Sequence, residues 1–251
     1  MTYGICNLSI IPLRAEAADT SELVSQILYG EIFKVLEVRS KWSRIRLAFD
    51  SYEGWIDNKQ FTSLLEEEYK SLNNEKPRLS SDLVEFITTS ENQLLSICMG
   101  SSLNGLHLLN HTFEGDSISE TFQKQHLVKT ALLYLNAPYL WGGKTPFGID
   151  CSGFTQMVYK LNGHHLQRDA SQQVTQGEPL SFIEESEPGD LAFFDNSEGK
   201  IEHVGIIMKD NQIIHAHGKV RIDGLDHTGI FNYETRTYSH QLRVIKRIIP
   251  I

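Results

Sequence analysis

The sequence predicts an α+β protein in which a small β-barrel precedes a domain with an antiparallel sheet, and three observations support this fold class. Residues 1–62 contain short alternating runs of apolar and polar residues, which are typical of strands. Two amphipathic helical patterns follow, beginning near residues 117 and 151. Further strand patterns then complete the chain, and helices followed by strands favour an antiparallel α+β domain.

The barrel prediction rests on three strand patterns in residues 1–62. They are "FKVLEV" (33–38), "WSRIRLAF" (42–49) and "EGWIDN" (53–58). We therefore predict a first domain over 1–62.

Residues 63–118 are harder to assign. The segment 64–82 is polar and acidic and is interrupted by Pro77, so we predict a linker or a short helix. The stretches "LVEFITTSENQLLSICMG" and "LHLLNHTF" predict more strands, which either form a second β unit or complete the first.

The third domain is expected over 119–251, and its first helix has a capping-box signal. Ser117 and Glu120 have the spacing of a capping box ahead of an amphipathic pattern that ends before Asn136 and Pro138. We therefore predict a helix from Ser117 to Leu135.

The second helix of this domain follows the glycine-rich stretch "YLWGGKTPFGIDCSGF". One face carries Phe154, Met157 and Leu161, with Asp150 as the expected N-cap and Cys151 in the first turn. The later stretches "GDLAFF", "HVGIIM", "QIIHAHG" and "LRVIKRI" predict strands, and "KDNQ" predicts the turn between the middle two.

Composition excludes several kinds of partner. The formal net charge is −9 and the sequence pI is about 5.6, so we expect no nucleic-acid partner and no anionic membrane surface. The N-terminus lacks the basic and apolar regions of a signal peptide, and no apolar run reaches the length of a membrane span. We expect a soluble, cytoplasmic protein that needs no cofactor.

The three cysteines occur without CxxC spacing, which favours a reducing compartment over a disulfide framework or a zinc ribbon. Cys6 and Cys98 lie in apolar stretches, where a free cysteine behaves as a small buried hydrophobic residue. Cys151 is different, because unpaired N–H groups at a helix N-terminus stabilise a thiolate. It is the candidate nucleophile.

A thiol nucleophile requires an imidazole, and a third group must hold that imidazole in its working tautomer. His203 and His215 lie on consecutive predicted strands of one hairpin, where they can be cross-strand neighbours. The other histidines are assigned to the surface or to loops, with His217 the first exception to look for: His107, His111, His126, His164, His165, His217, His227 and His240.

Four motifs in order, "DCSGF", "PGDLAFF", "HVGII" and "IIHA", resemble the NlpC/p60 family of papain-like cysteine peptidases, preceded by a bacterial SH3-like domain. The resemblance covers about residues 119–250. It implies that Cys151 is the nucleophile, His203 the general base and acid, and His215 the orienting third member.

The pattern "YGE" with "YEGWI", together with the absent signal peptide, is similar to a cytoplasmic branch of this family that recycles cell-wall peptides. That resemblance implies short peptidoglycan-derived peptides with a free N-terminal L-Ala as partners. It also implies cleavage of the γ-D-glutamyl to diamino acid bond, and both diaminopimelate and lysine are compatible with the motifs.

The resemblance also implies substrate-binding residues. Tyr52 matches a residue of the L-Ala pocket, and Tyr139 matches one whose hydroxyl helps to hold the oxyanion. Asp150 and Ser152 match residues that recognise the L-Ala and D-Glu groups, and Asp169 matches another pocket residue.

Two positions depart from the family pattern. Ala170 stands where related enzymes can carry serine, and Val24 stands where an acidic residue is expected to meet the substrate amine. An unpaired buried ammonium is strongly disfavoured. We therefore assign the amine to Asp50, with Glu53 as the other candidate.

Other functions are compatible with parts of the sequence. One is a non-catalytic protein that binds cell-wall peptides, and another is an acyltransferase that uses the same thiol. A zinc hydrolase built on His203, His215 and His217 is a third. Phosphate binding by Gly142, Gly143 and Gly148 is disfavoured, because "GGKTPFG" runs into a proline instead of a helix.

Overall fold

A computed structural model describes residues 2–250 and divides the chain into two compact units. The first comprises Met1–Glu120 and Trp141–Pro146, and the second comprises Thr121–Leu140 and Phe147–Ile251. The domain boundaries at 62 and 118 stay a prediction. No helix within residues 2–250 has the length and apolarity needed to span a bilayer.

The first unit contains a seven-stranded antiparallel sheet of order β3-β2-β6-β5-β4-β1-β7. Inward residues such as Ile45 and Leu47 alternate with outward ones, which buries one face of each strand. Its strands are β1 (Thr2–Ile5), β2 (Ile10–Arg14), β3 (Leu23–Leu28), β4 (Ile32–Val38), β5 (Trp42–Leu47), β6 (Glu53–Asp57) and β7 (Thr62–Leu64). The three predicted strands of this region are confirmed.

The rest of the first unit resolves the open assignment of 63–118. The acidic segment forms a helix, and the following stretches form a separate three-stranded sheet of order β10-β9-β11. The elements are α1 (Glu66–Asn74), β8 (Leu79–Ser80), β9 (Val84–Thr88), β10 (Leu94–Cys98), α2 (Leu106–Leu109), β11 (Thr112–Phe113), β12 (Ser117–Ile118) and β13 (Lys144–Thr145).

The capping-box prediction at Ser117 is wrong. Ser117 and Ile118 pair with Ser80 and Leu79 in a two-stranded ladder, so their backbone groups are not available to begin a helix. The helix begins at His126 instead. Its N-cap residue is Gln125, whose side chain makes no capping hydrogen bond. A local spacing signal was overridden by a strand about forty residues away.

The second unit places two helices and two shorter helical turns beside a large antiparallel sheet. The helical elements and the first short strand are α3 (His126–Leu133), β14 (Gly148–Ile149), α4 (Cys151–Leu161), α5 (Ala170–Gln173) and a 3₁₀ turn (Ile183–Glu185). The sheet strands are β15 (Glu178–Leu180), β16 (Leu191–Asp195), β17 (Ile201–Ile207), β18 (Gln212–His217), β19 (Lys219–Leu225), β20 (Gly229–Asn232) and β21 (Thr237–Arg247).

This sheet has the order β15-β21-β16-β17-β18-β19-β20, and β20 also pairs with β21. The extra pairing closes six strands into a barrel, which removes their free edges. Asp210 and Asn211 both have φ near +57°, at 58° and 56°, as a tight β17–β18 turn requires. The predicted α+β fold with an antiparallel sheet is confirmed.

Candidate active site

Cys151 is the first residue of helix α4, which is buried on every side and packs against β17. Asp150 is the N-cap, and its carboxylate accepts a hydrogen bond from the Gly153 amide at 2.6 Å. An extended backbone at the N-cap and a side-chain bond to the third helical amide are typical of the start of a helix, and Asp150 has both. The predicted cap and the first-turn position of the thiol are both confirmed.

The thiol faces the strand that carries the first histidine. The Sγ atom of Cys151 lies 3.9 Å from the carbonyl oxygen of Glu202, and the backbone of Val204 also hydrogen-bonds to the sulfur. His203 lies between these two residues on β17. The fold therefore places nucleophile and candidate base on touching elements of one unit.

His203 and His215 meet diagonally across the β17–β18 ladder. His215 is directly opposite Gly205, two residues beyond His203 on the same face of β17. A Cβ at Gly205 would approach the Ile213 side chain to 2.7 Å and the Cβ of His215 to 2.9 Å, so a side chain does not fit opposite the histidine. Nε2 of His203 and Nδ1 of His215 are 2.8 Å apart and hydrogen-bonded.

A carboxylate continues this chain of hydrogen bonds. Nε2 of His215 lies 3.1 Å from Oδ2 of Asp223, which β19 supplies from the next position in the barrel. Asp223 is fully buried and also accepts from the Arg221 guanidinium, at 2.6 and 3.1 Å, and from the Tyr233 amide. Burial by itself would raise the pKa of Asp223, but these hydrogen bonds lower it to about 2.

The ionised Asp223 fixes the tautomers of both rings. A carboxylate only accepts, so Nε2 of His215 carries a hydrogen and its Nδ1 is the acceptor. The hydrogen of the 2.8 Å bond then belongs to Nε2 of His203, which leaves Nδ1 of His203 as the unprotonated nitrogen. Nδ1 is therefore the atom that can take a proton from the thiol.

Burial disfavours the charged form of each reacting group, the thiolate of Cys151 and the imidazolium of His203. It raises the pKa of Cys151 to about 12, with a further contribution from the Asp150 carboxylate. It lowers the pKa of His203 well below the usual range, and the neighbouring histidines add to this. Both shifts favour the neutral forms of the thiol and the imidazole, so forming the thiolate requires proton transfer from Cys151 to His203.

Arg168 organises the residues that flank the nucleophile. It is 1% exposed and forms a bidentate ion pair with Asp150, at 3.0 and 2.6 Å. A third bond, of 3.1 Å, runs from its Nη1 to the hydroxyl of Ser152. Asp150 and Ser152 are thus positioned by a buried guanidinium, and their predicted contacts with substrate stay a prediction.

Two further predicted residues lie in the same unit. Burial, together with Cys151 and Asp150, raises the pKa of Tyr139 to about 12, so its hydroxyl keeps its proton at neutral pH. Tyr139 forms an isolated β-bridge with Ile149, two residues before Cys151, which places it near the start of α4. Asp169 is the N-cap of α5, and its amide donates to Oε1 of Gln172 at 3.0 Å.

Asp50 and Tyr52 belong to the first unit. Asp50 is 3% exposed, and its Oδ1 accepts a hydrogen bond of 3.0 Å from the amide of Tyr52. This bond spans Ser51, whose φ of 61° makes the β5–β6 turn. Tyr52 packs against the core of the first sheet. Their roles toward substrate stay predictions.

The assignment of His240 to the surface is wrong. It lies on β21, is only partly exposed, and its ring stacks on that of His203 with centroids 4.1 Å apart. His217 is exposed, yet its ring centroid is 6.4 Å from that of His203. Strand β16 pairs with both β17 and β21 and so brings His240 toward His203, and no spacing in the sequence signals that contact.

Arg168, Asp223 and Arg221 were also missed from sequence. Arg168 stands beside Asp169 in "RDASQQ", so its neighbourhood was identified while its role was not. "RIDG" presents Arg221 and Asp223 with alternating spacing on a strand that follows the second histidine. That pattern was the available signal for a third strand facing the site.

Metal ligation was the other use considered for the histidines. Among residues 2–250, no group of three or more His, Cys, Asp or Glu side chains has an arrangement that could hold a metal ion. One nitrogen of His203 and one of His215 instead bond to each other. All three cysteines are free and buried.

Comparison with known families identifies two regions. The NlpC/P60 family matches residues 136–239, and the bacterial dipeptidyl-peptidase SH3 domain matches residues 13–61. The first match contains Cys151, His203, His215 and Asp223. The second lies within the seven-stranded sheet of the first unit.

Curated relatives span most of the chain. A γ-D-glutamyl-L-lysine dipeptidyl-peptidase of Bacillus subtilis is 27% identical over 245 residues, covering 86% of this chain and 77% of the relative. Dipeptidyl-peptidase 6 of Lysinibacillus sphaericus is 29% identical over 255 residues, covering 85% of this chain and 88% of the relative.

Solved structures share the fold. A crystal structure of an NlpC/P60 family protein from Bacillus cereus aligns with a TM-score of 0.79 at 20% identity, covering 99% of this chain and 100% of that one. An NlpC/P60 endopeptidase from Photobacterium damselae aligns with a TM-score of 0.71 at 13% identity, covering 96% of this chain and 70% of that one.

Proposed function

The chain belongs to the NlpC/P60 family of cysteine peptidases and carries a bacterial SH3 domain before the peptidase domain, and on that premise we propose that it hydrolyses γ-D-glutamyl to diamino acid bonds in short cell-wall peptides. The observation that carries the chemistry is the hydrogen-bonded series His203–His215–Asp223. It presents one unprotonated nitrogen, Nδ1 of His203, on the strand that contacts Cys151.

The proposed reaction begins with proton transfer from Sγ of Cys151 to Nδ1 of His203. The thiolate attacks the γ-carbonyl carbon of D-Glu, and the resulting oxyanion is held by the Cys151 amide and the Tyr139 hydroxyl. Collapse breaks the C–N bond while His203 returns the proton to the leaving amine. Water then hydrolyses the thioester by the same proton route and releases the L-Ala-γ-D-Glu product.

Asp223 and Arg221 support this cycle electrostatically. When His203 is protonated, both of its N–H groups donate, one of them to His215, whose own N–H donates to the carboxylate. The N–H groups of His203 and His215 are then both oriented toward the carboxylate of Asp223. The His203 imidazolium is therefore stabilised without transfer of a second proton. Arg221 balances the charge of Asp223 when His203 is neutral.

The substrate assignment is supported by the curated relatives. The Bacillus subtilis relative is named for a γ-D-glutamyl-L-lysine bond, and the alignment with it spans both domains. We place the enzyme in a reducing, cytoplasmic setting, where it would degrade peptides released from the cell wall. Three free thiols are compatible with that setting.

The test is product analysis on L-Ala-γ-D-Glu-L-Lys and on the same peptide with an acetylated L-Ala. We expect release of L-Ala-γ-D-Glu from the free peptide, and its loss in Cys151→Ala, while Cys98→Ala, which removes another buried thiol, remains active. Inactivation by iodoacetamide together with resistance to EDTA is expected for thiol chemistry. No dipeptide from either peptide under reducing conditions would overturn the proposal, and transfer to an added amine in excess of hydrolysis would change the reaction class.

A further inference from the structure

A pocket of about 360 Å³ lies beside the catalytic histidines and has no role in the site described above. Its wall comes from the β19–β20 loop and from β21. The lining residues are His227, Thr228, Tyr238, Ser239, His240, Gln241 and Leu242. Its volume is within the range of small-ligand sites.

His240 connects this pocket to the reaction. The residue lines the pocket, and its ring stacks on His203 with centroids 4.1 Å apart. His203 returns a proton to the leaving amine, so the departing residue lies against the His203 ring when the bond breaks. The pocket therefore opens beside the base and is separated from it by one imidazole ring.

The chemistry of the pocket favours a cation. No lysine or arginine is among its lining residues, whereas hydroxyl groups are supplied by Thr228, Tyr238 and Ser239. Asp226 precedes the loop residues of the wall and accepts a hydrogen bond from the Tyr238 hydroxyl. That bond, with the Thr228 and Gly229 amides, lowers the pKa of Asp226, so a negative charge stands at the rim.

His240 supplies a further polar group. Its Nδ1 bonds to the Ser239 hydroxyl at 2.9 Å, and its Nε2 makes no hydrogen bond within residues 2–250. Burial lowers the pKa of His240 to about 4, and the neighbouring histidines contribute to this shift. The ring is therefore neutral at pH 7 and can accept a hydrogen bond from an ammonium group.

We propose that this pocket is the subsite for the departing residue and that it binds the ammonium-bearing side chain of lysine there. The inference rests on the proposed peptidase function and adds the residues that select the leaving diamino acid. Diaminopimelate carries a carboxylate beside that ammonium group, and Asp226 would repel this carboxylate because no lysine or arginine lines the pocket to pair with it.

The test compares three peptides, L-Ala-γ-D-Glu-X, in which X is lysine, norleucine or meso-diaminopimelate. Norleucine keeps all four side-chain carbons of lysine and lacks the amine. We expect kcat/KM for lysine to exceed that for norleucine by about twofold to fivefold, within the range of an exposed charge pair. Added salt should reduce this preference because the rim charge is screened.

Asp226→Asn keeps an acceptor for the Thr228 amide and removes the charge. It should lower kcat/KM for the lysine peptide more than for the norleucine peptide, which erases the lysine preference. Asp210→Asn is the matched control, since it removes an exposed carboxylate from the β17–β18 turn of the same unit, and it should keep the preference. Thr228→Trp should fill the pocket and lower kcat/KM for all three peptides.

Cleavage of all three peptides at equal rates, or an equal effect of Asp226→Asn on each, would overturn the subsite while leaving the peptidase function in place. Failure to cleave any of them would instead overturn the peptidase function.

Discussion

The imidazole of His240 lies flat against that of His203, with ring centroids 4.1 Å apart and planes inclined by 19°. Strand β21 brings His240 there by pairing with β16 and β20, which closes the barrel. The stacked ring covers one face of the base without using Nδ1 of His203. His240 is thus a positioning residue that keeps the plane of the base fixed.

Replacement of His240 should separate ring packing from imidazole chemistry. We expect His240→Ala to lower kcat by about tenfold, because a base held only by its bond to His215 is less well aligned for proton transfer. His240→Phe retains a flat ring and should keep most of kcat. Steady-state kinetics on a norleucine peptide, with circular dichroism as the folding control, check this. Equal losses in both variants would contradict a packing role.

Asp223→Asn should reduce turnover more than binding. An amide at this position can donate to His215 as well as accept from it, so the tautomers of both histidines are no longer fixed. We expect kcat to fall by about 10²-fold or more, since losing the carboxylate that fixes the tautomer costs about 10⁴-fold in a Ser-His-Asp triad, with KM little changed. The pH–rate profile should also shift.

Glu234→Gln is the matched control for that variant. Glu234 also accepts from Arg221, at 3.0 Å, but is exposed and does not touch a histidine. Its kcat should stay near that of the wild type. A comparable loss in Glu234→Gln would mean that Arg221, and not the polarity of the histidine series, controls turnover.

Tyr139→Phe should act on the oxyanion. Because the tyrosine pKa is raised to about 12, the native hydroxyl is a donor at neutral pH, and its removal should cost about 10²-fold in kcat. KM should change little, since the interaction forms in the transition state. Tyr233→Phe, which alters an exposed ring of the same unit, should be neutral. Unchanged kcat in Tyr139→Phe would assign the oxyanion to other donors.

Arg168→Met should destabilise the second unit. It leaves Asp150 buried without its bidentate partner, and breaking such a pair costs about 3–5 kcal/mol. Urea unfolding monitored by far-UV circular dichroism measures the loss in free energy of unfolding. The double variant Arg168→Met with Asp150→Asn removes both charges and should recover part of it. If the double variant were less stable by the simple sum of the two single effects, the ion pair would not be the cause.

The buried histidines should make stability depend on pH. Burial lowers the pKa of His203 and of His215, so below about pH 6.5 the unfolded chain binds protons that the folded chain does not. The free energy of unfolding therefore falls as pH falls through this range, by about 1.4 kcal/mol per pH unit for each such group. Denaturant titrations from pH 7.5 to 5 check this, and a flat profile would contradict neutral burial of the pair.

Local signals were enough for much of the fold. Asp150 before Cys151 predicted a capped helix start, and the structure has that cap, because an N-cap depends only on the next three residues. The turn at Asp210 and Asn211 was predicted for the same reason. The capping-box spacing at Ser117 failed, because pairing with Leu79 and Ser80 satisfied the backbone differently.

The sequence by itself determined the order of the motifs, the helix that carries Cys151 and the hairpin that carries His203 and His215. Tertiary structure alone decided that the two histidines meet diagonally across Gly205, that Asp223 fixes their tautomers, and that His240 stacks on the base. The physical reason is distance along the chain: a cap or a turn is settled among neighbouring residues, whereas ladder register and barrel closure depend on which strands bury their faces together.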